Sequence, residues 1–199
     1  EPENARAALK VLQAAGYNVI VPAPVDRGRP LCCGRTFLAE GLVDEAKAEA
    51  RRMFDAVGPY VARGVPIVGL EPSCLFSLKD EFLALLPGRD AEALAAQAFM
   101  FEEFLAAEAK AGTLKLPLKA LPEKTALVHG HCHQRAFAAF AAVPTVLKLV
   151  PGLEVKTVES SCCGMAGSFG YEKAHYDVSL KMAELSDRKS TRLSSSHGY

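Results

Sequence analysis

The sequence predicts an α/β fold built of two similar halves, and three observations lead to it. Short apolar runs with strand character alternate with amphipathic helical stretches along the 199 residues. The tripeptide Cys-Cys-Gly occurs twice, as Leu31-Cys32-Cys33-Gly34 and again as Ser161-Cys162-Cys163-Gly164. Residues able to hold a metal stand repeatedly at the carboxyl ends of expected strands, just ahead of helices. Open α/β sheets build their sites there.

The elements follow in chain order. A first helix is expected with Asn4 as its cap. Its apolar stripe is Ala5, Ala8, Val11, Leu12 and Ala15, and Gly16 closes it. The chain opens without a methionine and is read as a fragment. Residues 17–21 read as a strand, and a proline-rich loop over 22–30 delivers the first Cys-Cys-Gly. A long helix then runs to about Val57, with Leu42, Ala46, Ala50, Met53, Phe54 and Val57 inward. Asp44, Glu45, Lys47, Glu49, Arg51 and Arg52 are assigned to its wet face. The unbroken apolar run over 65–70 is expected to be a strand covered on both faces. It leads into Glu71-Pro72-Ser73-Cys74 and a helix carrying Leu75, Leu78, Phe82 and Leu85. Another helix is expected over 92–110, whose Phe99, Phe101 and Phe104 have core spacing.

Residues 1–115 form the first half, 116–124 a linker with two prolines, and 125–186 the second half. That half opens with a strand over 125–129, with His129 inside it as a core histidine, and Gly130-His131-Cys132-His133 at its end. A helix from Gln134 is interrupted at Pro144. A strand over 153–158 reaches the second Cys-Cys-Gly, and a helix over 171–185 follows, with His175 on its surface. Residues 187–199 resemble a translated sequencing adapter and are set aside from the fold.

Composition narrows the function. Lysine plus arginine and aspartate plus glutamate both number 23, so the basic excess of a nucleic-acid footprint is lacking. No apolar run is long enough for a transmembrane helix. The expected location is the cytoplasm, with a peripheral place at the inner membrane face allowed. Nothing points to secretion, so the six cysteines read as reduced thiols rather than disulfides.

Neighbouring cysteines cannot easily bond each other, and in an extended segment their side chains point to opposite sides. Mononuclear zinc sites prefer cysteines spaced to bring two sulfurs to one face. Doubled thiolates suit a multi-iron cluster, which can be gripped at two irons. Cys32, Cys33, Cys74, Cys132, Cys162 and Cys163 are therefore the candidate metal ligands. Gly34 and Gly164 leave room for backbone N–H groups to approach a cluster or its sulfurs. His131 and His133 flank Cys132 and fit a hydrogen-bonding role better than direct ligation. Helix N-termini beside the cysteines are expected to lower thiol pKa values. Two alternatives stay open. One is structural zinc held by Cys132, His131 or His133 and the second doublet. The other is a thiol-active site of the disulfide-reductase kind.

These motifs, with Val68-Gly69-Leu70-Glu71-Pro72-Ser73-Cys74, His129-Gly130-His131-Cys132-His133 and the glycine-rich run over 164–170, resemble the cysteine-rich (CCG) domain of FAD-linked oxidases. These are oxidases of the glycolate oxidase and D-lactate dehydrogenase type. The domain is related to the heterodisulfide reductase B subunit and the anaerobic glycerol-3-phosphate dehydrogenase C subunit. The resemblance covers residues 1–186 and implies two Rossmann-like halves, the second incomplete. It also implies an iron–sulfur cluster of 4Fe–4S type bound by the cysteines. FAD would lie in an upstream flavin domain of the same parent chain, and electrons would pass to a quinone or another acceptor. In the family each half carries a lone cysteine, a doublet and a Cys-x-x-Cys. Cys132, Cys162 and Cys163 match the first three positions of the second half, while Cys32, Cys33 and Cys74 match the doublet and closing position of the first. Ser77 departs from the pattern, standing where the last sulfur would be.

Overall fold

Short parallel strands and flanking helices make up the chain, so the α/β class read from the sequence is the one found. The structure is a computed structural model and describes residues 2–158, 163–165 and 167–184. Two units result, Glu1–Pro117 and Leu118–Tyr199.

The first unit holds α1 (Pro2–Ala14), α2 (Arg35–Ala39), α3 (Val43–Val61), β1 (Ile67–Gly69), α4 (Pro72–Lys79), α5 (Glu81–Leu85), α6 (Arg89–Gln97), β2 (Ala98–Met100) and α7 (Phe101–Ala111). β1 and β2 pair in parallel, Ile67 opposite Ala98 and Gly69 opposite Met100. Phe76, Phe82, Leu94, Met100 and Leu105 are fully buried and form the heart of the core, joined by Ala46, Ala50 and Val57 from α3. Phe54 packs on Phe82 with ring centroids 5.7 Å apart.

Several expectations are corrected here. The helix expected over 92–110 is two helices with β2 between them. Its alanine-rich sequence favours a helix, but pairing with β1 overrides that local preference. The second helix restarts at once, because the Met100 N–H donates to the Glu103 carboxylate (2.9 Å), a cap three residues ahead. Residues 17–21 form no strand. α1 already runs from Pro2, so Asn4 lies inside it rather than capping it. β1 is half-buried at all three positions, not covered on both faces. Leu42 is exposed at the N-cap of α3.

Glu49 is the sharpest reversal. Assigned to water, it is 2% exposed. Its carboxylate accepts hydrogen bonds from Arg29 (3.1 Å for Nη1 to Oε2) and from Arg52 (2.9 Å). Arg52 also reaches Asp26 (3.0 Å) and the Arg29 carbonyl (2.6 Å). Buried charge demands such partners, and together they pin the proline-rich loop onto α3. The signal was present in the sequence, since 46, 49, 50, 53 and 57 share one helical face.

The second unit holds β3 (Thr125–Val128), α8 (Cys132–Ala136), α9 (Ala142–Leu147), β4 (Glu154–Thr157) and α10 (Tyr176–Glu184). β3 and β4 pair in parallel, Thr125 opposite Glu154 and Val128 opposite Thr157. The final helix starts later than expected because two 3-10 turns, Phe169–Tyr171 and Lys173–His175, precede it. His175 belongs to the second turn and is half-buried, stacked on Phe169 with centroids 4.1 Å apart. His129 lies just past β3 and is exposed, not a core histidine. Residues 187–199 lie outside the described residues.

Glu102, in the first turn of α7, yields a test. Its Oε2 is buried and has no hydrogen-bond partner among the described residues. Burial pushes its carboxyl above the ordinary range, and Glu103 nearby adds to this against an opposing backbone hydrogen bond. The folded protein therefore binds a proton here that the unfolded chain has already released, and stability falls as pH rises through that window. Glu102→Gln is expected to stabilise the protein at neutral pH by about 1 kcal/mol at most, given partial exposure. The gain should fade below about pH 4, where the unfolded carboxyl protonates too. Urea melts at both pH values check this, and an equal gain at both would reject it.

Candidate metal centre

In the first unit the loop after residue 22 and the turn after β1 bring Cys33 and Cys74 together. Cys33 is buried and its thiol is hydrogen-bonded with that of Cys74; Cys32 is half-buried beside it in the chain. Gly34, with φ of 76°, turns the chain so that its N–H donates to Cys32 Sγ (3.4 Å). A Cβ on Gly34 would sit 3.0 Å from the Ala46 carbonyl oxygen, so this glycine also lets the loop lie against α3. Arg35 continues into α2 and pairs with Glu81.

Cys74 sits in the first turn of α4. Glu71 is the N-cap, and its Oε2 accepts from the Cys74 N–H at 2.5 Å. Burial raises the Glu71 carboxyl, but hydrogen bonds from Cys74 and Ser73 outweigh it and hold the group low. A carboxylate thus occupies the helix N-terminus. The hydrogen bond with Cys74 lowers the Cys33 thiol, against burial and with help from the Arg35 N–H, to about 6. The same bond, with burial and Glu71, raises the Cys74 thiol. The expectation that the helix N-terminus would lower it is therefore corrected: two negative neighbours outweigh the dipole. Ser77 lies buried one turn on, its hydroxyl donating to the Ser73 carbonyl (2.9 Å).

In the second unit Cys132 is the first residue of α8 and is exposed. His131 is the N-cap, its Nδ1 accepting from the His133 N–H (3.2 Å), while Gln134 Oε1 accepts from the His131 N–H (3.4 Å). The two imidazoles stand 5.3 Å apart. Arg135 reaches the Val158 carbonyl at 3.1 Å and so ties α8 to the chain leaving β4. Cys163 is exposed. Gly164, with φ of 83°, packs so tightly that a Cβ would fall 2.2 Å from the Ser179 carbonyl oxygen of α10. Both Cys-Cys-Gly glycines thus take the left-handed conformation and press against a helix backbone. Cys162 lies outside the described residues.

The donor chemistry fits an iron–sulfur group. In the first unit the donors are sulfurs, one is readily deprotonated, and a backbone N–H points at another. Among the described residues no three His, Cys, Asp or Glu side chains form a group that could hold a metal ion. Sequence reasoning missed Glu49, Arg29 and Arg52 as the supports of the Cys32–Cys33 loop, and gave Glu71 no part.

Comparison with known proteins agrees with these motifs. Residues 126–191 match the cysteine-rich domain family, CCG. Over 179 residues the chain is 30% identical to the C subunit of the anaerobic glycerol-3-phosphate dehydrogenase of Escherichia coli, covering 89% of this chain and 43% of the relative. It is 26% identical over 155 residues to D-2-hydroxyglutarate dehydrogenase of Escherichia coli, 77% of this chain and 14% of that one. With lactate utilization protein A 1 of Bacillus mycoides it shares 28% identity over 196 residues, 94% of this chain and 71% of the relative. The chain thus spans less than half of the first of these. No solved structure matches it.

Proposed function

Starting from a chain that carries a CCG cysteine-rich domain, we propose that it is the iron–sulfur electron-transfer module of a larger FAD-linked dehydrogenase. The observation carrying this reading is the thiol pair of the first unit, Cys33 against Cys74, with Cys32 next in the chain accepting an N–H bond and the loop pinned by Glu49. A cluster of 4Fe–4S type, held by Cys32, Cys33 and Cys74 in the first unit or by Cys132, Cys162 and Cys163 in the second, would supply one-electron redox chemistry. The protein's own part is to keep Cys33 out of water and to direct the Gly34 N–H at sulfur. Burial and such hydrogen bonds set a potential. Glu71 holds the turn that presents Cys74, and His131 with His133 shapes the turn that presents Cys132.

The names of the relatives support a dehydrogenase context, and lactate utilization among them supports a 2-hydroxy acid such as D-lactate or glycolate. In this reading electrons enter from reduced FAD in a flavin domain of the parent chain and leave to a quinone or another carrier. No helix among the described residues is long and apolar enough to cross a membrane, and a peripheral position at the inner membrane face serves a quinone acceptor.

The parent protein, purified without oxygen, is expected to contain iron and acid-labile sulfide. Cys162→Ser and Cys163→Ser should each remove most of the iron and slow flavin reoxidation. Unchanged iron in both variants rejects the assignment. A second reading draws on the same contact, since a thiol lowered to about 6 beside another thiol also suits disulfide chemistry. Metal-free protein that forms a Cys33–Cys74 disulfide on mild oxidation would favour it.

A further inference from the structure

In the iron–sulfur reading, the second unit draws its thiols from two segments: the turn that presents Cys132, and the chain that leaves β4 for Cys162 and Cys163. Arg135 of α8 joins the two. Its Nη2 donates to the carbonyl of Val158, the residue that follows β4 (3.1 Å). Its backbone N–H donates to the His131 carbonyl (3.1 Å), which binds it to the turn ahead of Cys132. The guanidinium lies over the Phe140 ring, 5.2 Å from the centroid. Gly130 makes the room: a Cβ there would fall 2.8 Å from Arg135 Nε and 2.8 Å from the Phe140 ring.

We propose that Arg135 is a positioning residue of the second unit's metal centre. Its guanidinium clamps the turn carrying Cys132 to the segment that leads into the Cys162–Cys163 doublet, and it stations a permanent positive charge between them. The proposal rests on the iron–sulfur reading for the centre itself, while the clamp is a property of the protein without metal.

Two features make this more than a surface contact. The carbonyl that Arg135 takes belongs to a fixed point, because Val158 is buried and its own N–H donates to the Val128 carbonyl (2.9 Å). And the side chain, although the residue is exposed as a whole, is seated on three sides by Gly130, Phe140 and Val158. A planar fork that stacks and hydrogen-bonds at once is what arginine offers and lysine does not. Its charge also has a consequence. Reduction adds an electron to the centre, so a nearby cation favours the reduced form, and net charge is among the factors that set such potentials.

The parent protein, purified without oxygen, tests this with Arg135→Met and Arg135→Lys, and Cys163→Ser identifies the signal of the centre by removing it. Arg135→Met should keep its iron, while the midpoint of that centre falls enough to favour the oxidised form about threefold, roughly 30 mV for one electron. In the metal-free protein the Val158 amide should exchange about tenfold faster in this variant, with α4 to α6 as the unchanged internal reference. Arg135→Lys keeps the charge without the fork, so it should restore most of the midpoint and little of the protection. Either an unmoved midpoint or an unchanged Val158 exchange rate in Arg135→Met would overturn the role of Arg135 alone. Iron fully retained by Cys163→Ser would instead sink the iron–sulfur reading, and the role with it.

Discussion

Gly164→Ala is expected to destabilise the second unit by about 4 kcal/mol, combining left-handed backbone strain with a forced clash. The new methyl would lie 2.2 Å from the Ser179 carbonyl oxygen and 3.0 Å from its carbonyl carbon. Those are backbone atoms of α10 and cannot turn aside as a flexible side chain would. The helix must move off, or Cys163-Gly164 must. Gly152→Ala is the control: its φ is also positive, at 74°, but nothing lies within 4 Å of the added carbon. It should lose only about 1 kcal/mol. Thermal melts of the two variants beside the parent sequence decide the matter. If both lose the same amount, strain alone acts and the close packing of Gly164 on α10 is wrong.

Glu49→Ala should cost about 3 kcal/mol, toward the low end for breaking a buried ion pair because Arg29 is half-exposed and can rehydrate. Arg52 is more enclosed and keeps Asp26 as a partner. The larger consequence is at the site. With Glu49 gone, the loop carrying Arg29 loses its anchor on α3, and Cys33, buried against Cys74, opens to solvent. A thiol reagent should label Cys33 at least tenfold faster in the metal-free variant, as local opening becomes easier. Glu49→Gln keeps the shape and some hydrogen bonds and should fall between the two. A Glu49→Ala protein within 0.5 kcal/mol of the parent, labelled at the same rate, would show that the carboxylate does not hold this loop.

Much of the site was legible because it is written in local patterns. Glu71-Pro72-Ser73-Cys74 is a helix start whatever surrounds it, since the capping carboxylate, the proline and the third-position N–H are neighbours in sequence. His131-Cys132-His133-Gln134 is likewise a cap in four residues. The second occurrence of Cys-Cys-Gly announced a repeat, and both glycines do hold the left-handed turn that glycine alone adopts freely. The inward face of α3 was equally present in its spacing. Glu49 was misplaced there because residue type was weighed above position, although its spacing from Ala46 and Met53 put it on the buried stripe.

Composition and short-range pattern by themselves determined the α/β class, the order of most helices and strands, and which cysteines are the candidate ligands. Those properties depend on side-chain type and period, which a single chain displays from end to end. The tertiary structure alone decided that Ala98 to Met100 are a strand and that the Cys33 and Cys74 thiols are hydrogen-bonded to each other. It also decided that the Cys-Cys-Gly glycines press on helix backbones. Each of these turns on a partner distant in sequence: β1 for the strand, Cys74 for Cys33, and Ala46 or Ser179 for the glycines. Local preference is worth a fraction of a kcal/mol per residue, and such long-range contacts outweigh it.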